Sequence, residues 1–138
     1  MSHDPDDEIA KAREYVALNR GAEAIQLLTR VLSAHPDAAG EVHLVLASAH
    51  SVLQQSEAGV AAARRAVAEL PDDPRAHFML GSLLGEANRP RRALARLDHS
   101  LTLDPHYVDA HQRRALVLRD LQRHREGEQA ARKAIELA

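Results

Sequence analysis

Histidine is the residue type most able to do chemistry in this 138-residue chain, which carries nine of them. Imidazole ligates metals and changes charge near neutral pH. His43, His77 and His111 recur at intervals of 34 residues. A single helix holds zinc through an i, i+4 pair of histidines, and no two histidines here stand four apart; His43 and His50 are seven apart. Cysteine is absent, which excludes thiolate metal sites and disulfides. No metal site is expected, and the three-rung ladder reads as structural. If its rings are buried and neutral, they must gain protons on acidification, and stability is expected to fall between roughly pH 7 and 5.

Arginine is the second candidate. Arg89, Arg91, Arg92, Arg96, Arg113, Arg114, Arg119, Arg123 and Arg125 form a basic set suited to phosphate, nucleic acid or an acidic protein surface. Aromatic residues make up only 2% of the chain and the net charge is −2, so base stacking has little to work with and nucleic acid is disfavoured. A solvated helix surface is the plainer reading. Next comes an acidic protein patch, including the chain's own first half in a head-to-tail homodimer. No phosphate loop, nucleophile motif or paired carboxylate suggests catalysis; Asp72 and Asp73 read as turn and cap residues. The chain is expected to be no enzyme and to need no cofactor.

These residues need elements to position them. Length predicts one domain, 1–138. Apolar content of 45% with so few aromatics predicts a core of Leu, Val, Ile and Ala. No apolar run reaches the ~18 residues of a membrane span, and the acidic start MSHDPDDE is unlike a secretory signal; no membrane partner and a cytoplasmic location are expected. Charge is uneven: residues 1–73 carry 6 Lys/Arg and 12 Asp/Glu, residues 74–138 carry 12 and 8. Such asymmetry bears on association rather than on fold.

The stretch Pro74–Pro105 reads as two amphipathic helices broken at Ala87-Asn88-Arg89-Pro90. Its small residues Gly81, Ala93 and Ser100 and its closing Pro105 recur 34 residues away as Ala47, Gly59, Ala66 and Pro71, and as Ala115, Gly127 and Ala134. Ala12, Ala24, Val31 and Pro36 repeat the signature with one residue inserted near 37–40. Repeats are placed at 5–38, 40–73, 74–107 and 108–138. A period of this length marks stacked hairpins. Asp4-Pro5 and Asp73-Pro74 are helix starts, an N-cap followed by proline at the first position. Eight helices are expected: 5–19, 22–34, 40–55, 56–70, 74–87, 90–103, 108–121 and 125–137. Arg20-Gly21 is the expected break within the first hairpin and Ser56 the expected cap within the second.

The pattern resembles the tetratricopeptide repeat family, whose small residues and proline fall on these places. It departs at the family's bulky fourth place, here Glu8, His43, His77 and His111. The resemblance implies an all-α, right-handed α-solenoid of antiparallel helix pairs with a concave groove lined by the first helix of each pair. Carried over place by place, that groove would present Ile9, Arg13, Val16, Leu44, Ser48, Ser51, Phe78, Ser82, Gln112, Leu116 and Arg119. Ile9, Leu44 and Phe78 would form an open apolar row. Some family members clamp an acidic chaperone tail with Lys and Asn; Ile9, Val45 and Met79 stand at those places, so that ligand is rejected. The implied function is a non-catalytic module or scaffold that takes a peptide or helix of a partner protein into the groove. The alternatives are a homodimer through the last helix, whose Ala130, Ala131, Ala134 and Ile135 would lie open, and an interaction domain of a larger enzyme.

Overall fold

The computed structural model describes residues 4–138; residues 1–3 of the expected domain lie outside them. The described residues form eight α-helices: α1 Pro5–Ala17, α2 Gly21–Ala34, α3 Ala39–Val52, α4 Ser56–Glu69, α5 Pro74–Glu86, α6 Pro90–Leu103, α7 Val108–Asp120 and α8 His124–Leu137. A 3₁₀ turn, Pro36–Ala38, takes up the residue inserted in the first repeat. The helices pack as hairpins, α1 with α2, α3 with α4, α5 with α6 and α7 with α8. The chain falls into two compact units, ending and beginning at Pro71 and Asp72, with two hairpins in each.

Both predicted proline starts are present. The Asp4 carboxylate accepts from the Asp6 backbone N–H at 2.9 Å, and Asp73 accepts from Arg75 N–H at 2.9 Å. Each satisfies one amide that the first helical turn leaves without a partner. The expected Ser56 cap is corrected: Ser56 is the first residue of α4, and Gln55 precedes it with no side-chain cap. The reason lies in how each hairpin turns. Asn19, Gln54, Asn88 and Gln122 adopt left-handed backbone, φ 59–62°. The N–H of each residue that follows reaches back five residues, Arg20 to Tyr15 O, Gln55 to His50 O, Arg89 to Leu84 O and Arg123 to Leu118 O. This is the Schellman closure of a helix end, and it delivers the chain straight into the next helix.

The expected break at Arg20-Gly21 holds at Arg20, which lies between α1 and α2, whereas Gly21 is already the first residue of α2. It lies buried inside α2, where a Cβ would meet Ala49 O, Leu53 Cγ and Val52 Cγ2 at 2.9 Å. Its role is close approach of α2 to α3. Gly81 does the same for α5 against α6: a Cβ there would meet Leu97 Cγ at 2.9 Å and Ala93 O at 3.2 Å. Ser100, at the third small place, is fully buried and donates its hydroxyl to Pro74 O at 2.8 Å. Aliphatic side chains fill the rest. Ile9, Leu27, Leu28, Val31, Val42 and Val45 pack together in the first unit, and Leu80, Leu83, Leu84, Leu97, Val117 and Leu118 are buried in the second.

Two glycines therefore have opposite expected sensitivities. Gly81→Leu forces a side chain into the fully buried Leu97 and should cost about 1–3 kcal/mol or more. At Gly127 the nearest atom to a Cβ is 3.4 Å away, so Gly127→Ala should be neutral or stabilising by up to about 1 kcal/mol. Denaturant unfolding of both variants checks the contrast.

Candidate functional site

Within the first unit, Arg13 and Val16 lie on α1 and Ser48 and Ser51 on α3. Arg13 is exposed and paired with Glu41 of α3 at 2.8 Å. Val16 is half-buried against the core, and Ser48 Oγ approaches Leu44 O of its own helix at 3.4 Å. Ile9 and Leu44 are not open to solvent: they are 2% and 6% exposed. The expected open apolar row is corrected here, because Ile9 is absorbed into the α1–α2 core. Val52, at the end of α3, is an exposed large apolar residue instead.

Within the second unit, α5 contributes Phe78 and Ser82, and α7 contributes Gln112, Leu116 and Arg119. Phe78 is half-buried with its ring 5.0 Å from that of Tyr107. Leu116 is 43% exposed, and Gln112 and Arg119 are exposed beside it on α7. Ser82 is buried, yet its hydroxyl has no hydrogen-bond partner among the described residues. Buried polar groups are nearly always paired, so this hydroxyl is an uncommitted donor and acceptor in the wall of α5. A shallow cleft of about 380 Å³ opens where Leu116 and Arg119 meet His124, Gly127 and Ala131 of α8.

The histidine ladder finds three different surroundings. His43 is buried with Nδ1 3.0 Å from Glu69 Oε1. His77 is buried and its ring stacks on His99 at 4.1 Å. His111 is half-buried and donates from Nε2 to Pro105 O at 2.8 Å. Among the described residues no three of His, Cys, Asp and Glu are grouped to hold a metal ion, and no helix is long and apolar enough to cross a membrane. Sequence reasoning missed Tyr107, which covers Phe78 and carries the largest titration shift resolved. Burial, and then Asp109, push its phenol up to about 12. Arg75 holds Asp73 below the usual carboxylate range through their hydrogen bonds.

Hairpins that meet at small residues and turn through a left-handed tip define a helical-repeat protein. The tetratricopeptide repeat family matches over residues 15–84 and again over 78–138, and the chain belongs to that family. Similar solved structures include MamA, at 19% identity over 97% of this chain and 78% of that one, TM-score 0.81. MamA from Desulfovibrio magneticus RS-1 aligns at 19% identity over 97% and 75%, TM-score 0.82. MamA AMB-1 aligns at 25% identity over 98% and 79%, TM-score 0.74. No curated protein sequence matches significantly.

Tyr107 supplies a pH test. Its folded pKa lies above the ordinary 10.0, so its neutral form contributes stability that is complete below about pH 10. That contribution is lost as the pH rises towards about 12. Thermal melts from pH 9 to 12 should show a steeper loss for the wild type than for Tyr107→Phe. Parallel curves would contradict the assignment.

Proposed function

We propose that the chain is a non-catalytic interaction module that takes a peptide or helix of a partner protein against the outer faces of its first helices. Tetratricopeptide repeat domains generally mediate protein–protein contacts. The observation that supports this use here is the exposed face of α7, where Leu116 lies with Gln112 and Arg119, alongside a buried, unpaired hydroxyl at Ser82 on α5. An apolar anchor with a few fixed polar groups around it is what peptide capture requires. In the first unit Arg13, Val16, Ser48 and Ser51 provide the corresponding surface, with Ile9 and Leu44 beneath it as support.

A second use, self-association through α8, is favoured by Ile135, which is 76% exposed, although Ala130 and Ala134, expected open beside it, are buried. Its counterpart one repeat earlier, Leu101, is half-buried. The two uses separate in one experiment. Wild type and a Leu116→Glu/Arg119→Glu variant are compared by pull-down, with light scattering of each sample. Loss of the captured proteins by a folded, monomeric variant supports the α5/α7 face. Equal capture by both rejects it, and a wild-type dimer abolished by Ile135→Glu supports self-association.

A further inference from the structure

A cleft of about 700 Å³ opens along the first hairpin, lined by Lys11 and Tyr15 of α1 and by Glu23, Ile25, Leu27 and Arg30 among the residues of α2. Its floor is apolar: Leu27 is buried, and Tyr15 and Ile25 are half-buried against the core of the unit. The two helices are joined by the tip at 18–20 and pack on one another. Tyr15 and Ile25 therefore lie towards the tip, and Lys11 and Arg30 lie farther from it, one on each helix. Both cations are exposed.

Among the described residues neither cation has a carboxylate partner. Glu8 and Glu14 each stand three residues from Lys11 on α1, a spacing at which helical ion pairs form. The Lys11 ammonium lies instead over the Tyr15 ring, 5.9 Å from its centre. No acidic residue stands within a turn of Arg30 on α2. Glu23, the carboxylate of the lining, is taken by Arg20, whose Nε donates to it at 2.8 Å. That hydrogen-bonded pair is neutral, so Lys11 and Arg30 leave the cleft positive. Leu46 and Leu80 hold the place of Lys11 in the next two hairpins; packing a hairpin does not call for a cation there.

Two cations at one end of an apolar floor fit a ligand with one anionic head and one apolar tail. An acidic peptide would bring several charges, and the tip end offers them only the neutral Arg20–Glu23 pair. Phosphate alone, or a nucleic-acid backbone, would leave the floor unused. We propose that the cleft between α1 and α2 binds a small amphipathic carboxylate, an acyl chain whose head lies between Lys11 and Arg30 and whose tail lies over Leu27, Ile25 and Tyr15 towards the tip. The aliphatic stems of the two cations extend the floor beside the tail. The site uses none of the residues of the proposed partner surface and does not rest on it.

The test is titration of the nitrogen-15-labelled full chain with octanoate, below its micelle concentration, followed in amide correlation spectra. Saturable shifts are expected at Gln26, Thr29 and Arg30, which line the cleft. Octanamide, which keeps the tail and loses the charge, should bind about tenfold more weakly. Butanoate, which keeps the charge and shortens the tail, should also bind about tenfold more weakly. Lys11→Gln and Arg30→Gln should each weaken octanoate about tenfold while the rest of the spectrum stays as in the wild type. Leu116→Glu should leave octanoate binding intact. The proposal is overturned by absence of saturable shifts, by shifts confined to other helices, or by equal affinity for octanoate and octanamide. Full affinity in the Lys11→Gln/Arg30→Gln double variant also overturns it, as does tighter binding of a Glu-Glu-Leu-Glu-Glu peptide than of octanoate, which would assign the cleft to a protein partner.

Discussion

The contact on which this structure depends is a leucine laid against a backbone that has no side chain. Leu97 Cγ lies 2.9 Å from where a Cβ on Gly81 would stand, and Leu70 Cγ lies 2.8 Å from where one on Gly40 would stand. A leucine can approach this closely only where the facing residue is Gly, because the Cβ of any other residue would stand 2.8–2.9 Å from it. With almost no aromatic residue available, the core must gain its dispersion energy from many short aliphatic contacts at interior density. Close approach at a few fixed places therefore sets where each hairpin meets the next in its unit, and hence which side chains its outer faces present.

Much of this was legible in the sequence. The recurrence of small residues gave the hairpins, and the paired Asp-Pro starts gave two helix beginnings to the residue. The inserted residue near 37–40 became the Pro36–Ala38 turn. Where the sequence misled, it did so for identifiable reasons. Gly21 looked like a breaker because glycine often ends helices, but what it relieves is crowding by Leu53 and Val52. The left-handed turns occur at Asn19, Gln54, Asn88 and Gln122; Asn88 lies in the expected break, and Asn favours this backbone, whereas Gln rarely signals it, and bonds reaching back to the preceding helix hold all four there.

The candidate site was less legible than the fold. Ile9 and Leu44 were placed on an open wall by their position in the repeat, but position gives the direction of a side chain and not what lies over it. Both are buried. Ser82 is buried and Leu116 exposed in the second unit, and the unpaired hydroxyl of Ser82 could not have been inferred from its identity. The arginines divide in the same way. Of the basic set, Arg114 and Arg123 each have a carboxylate partner within their own unit, as do Arg13, Arg20 and Arg75 outside that set.

The most direct measurement is a nuclear Overhauser spectrum of the chain with labelled leucine methyls. Close packing at the hairpin crossings predicts strong cross-peaks from the Leu97 methyls to the Gly81 Hα protons and from the Leu70 methyls to those of Gly40. Absence of both, in a sample whose helices are otherwise formed, would contradict the account.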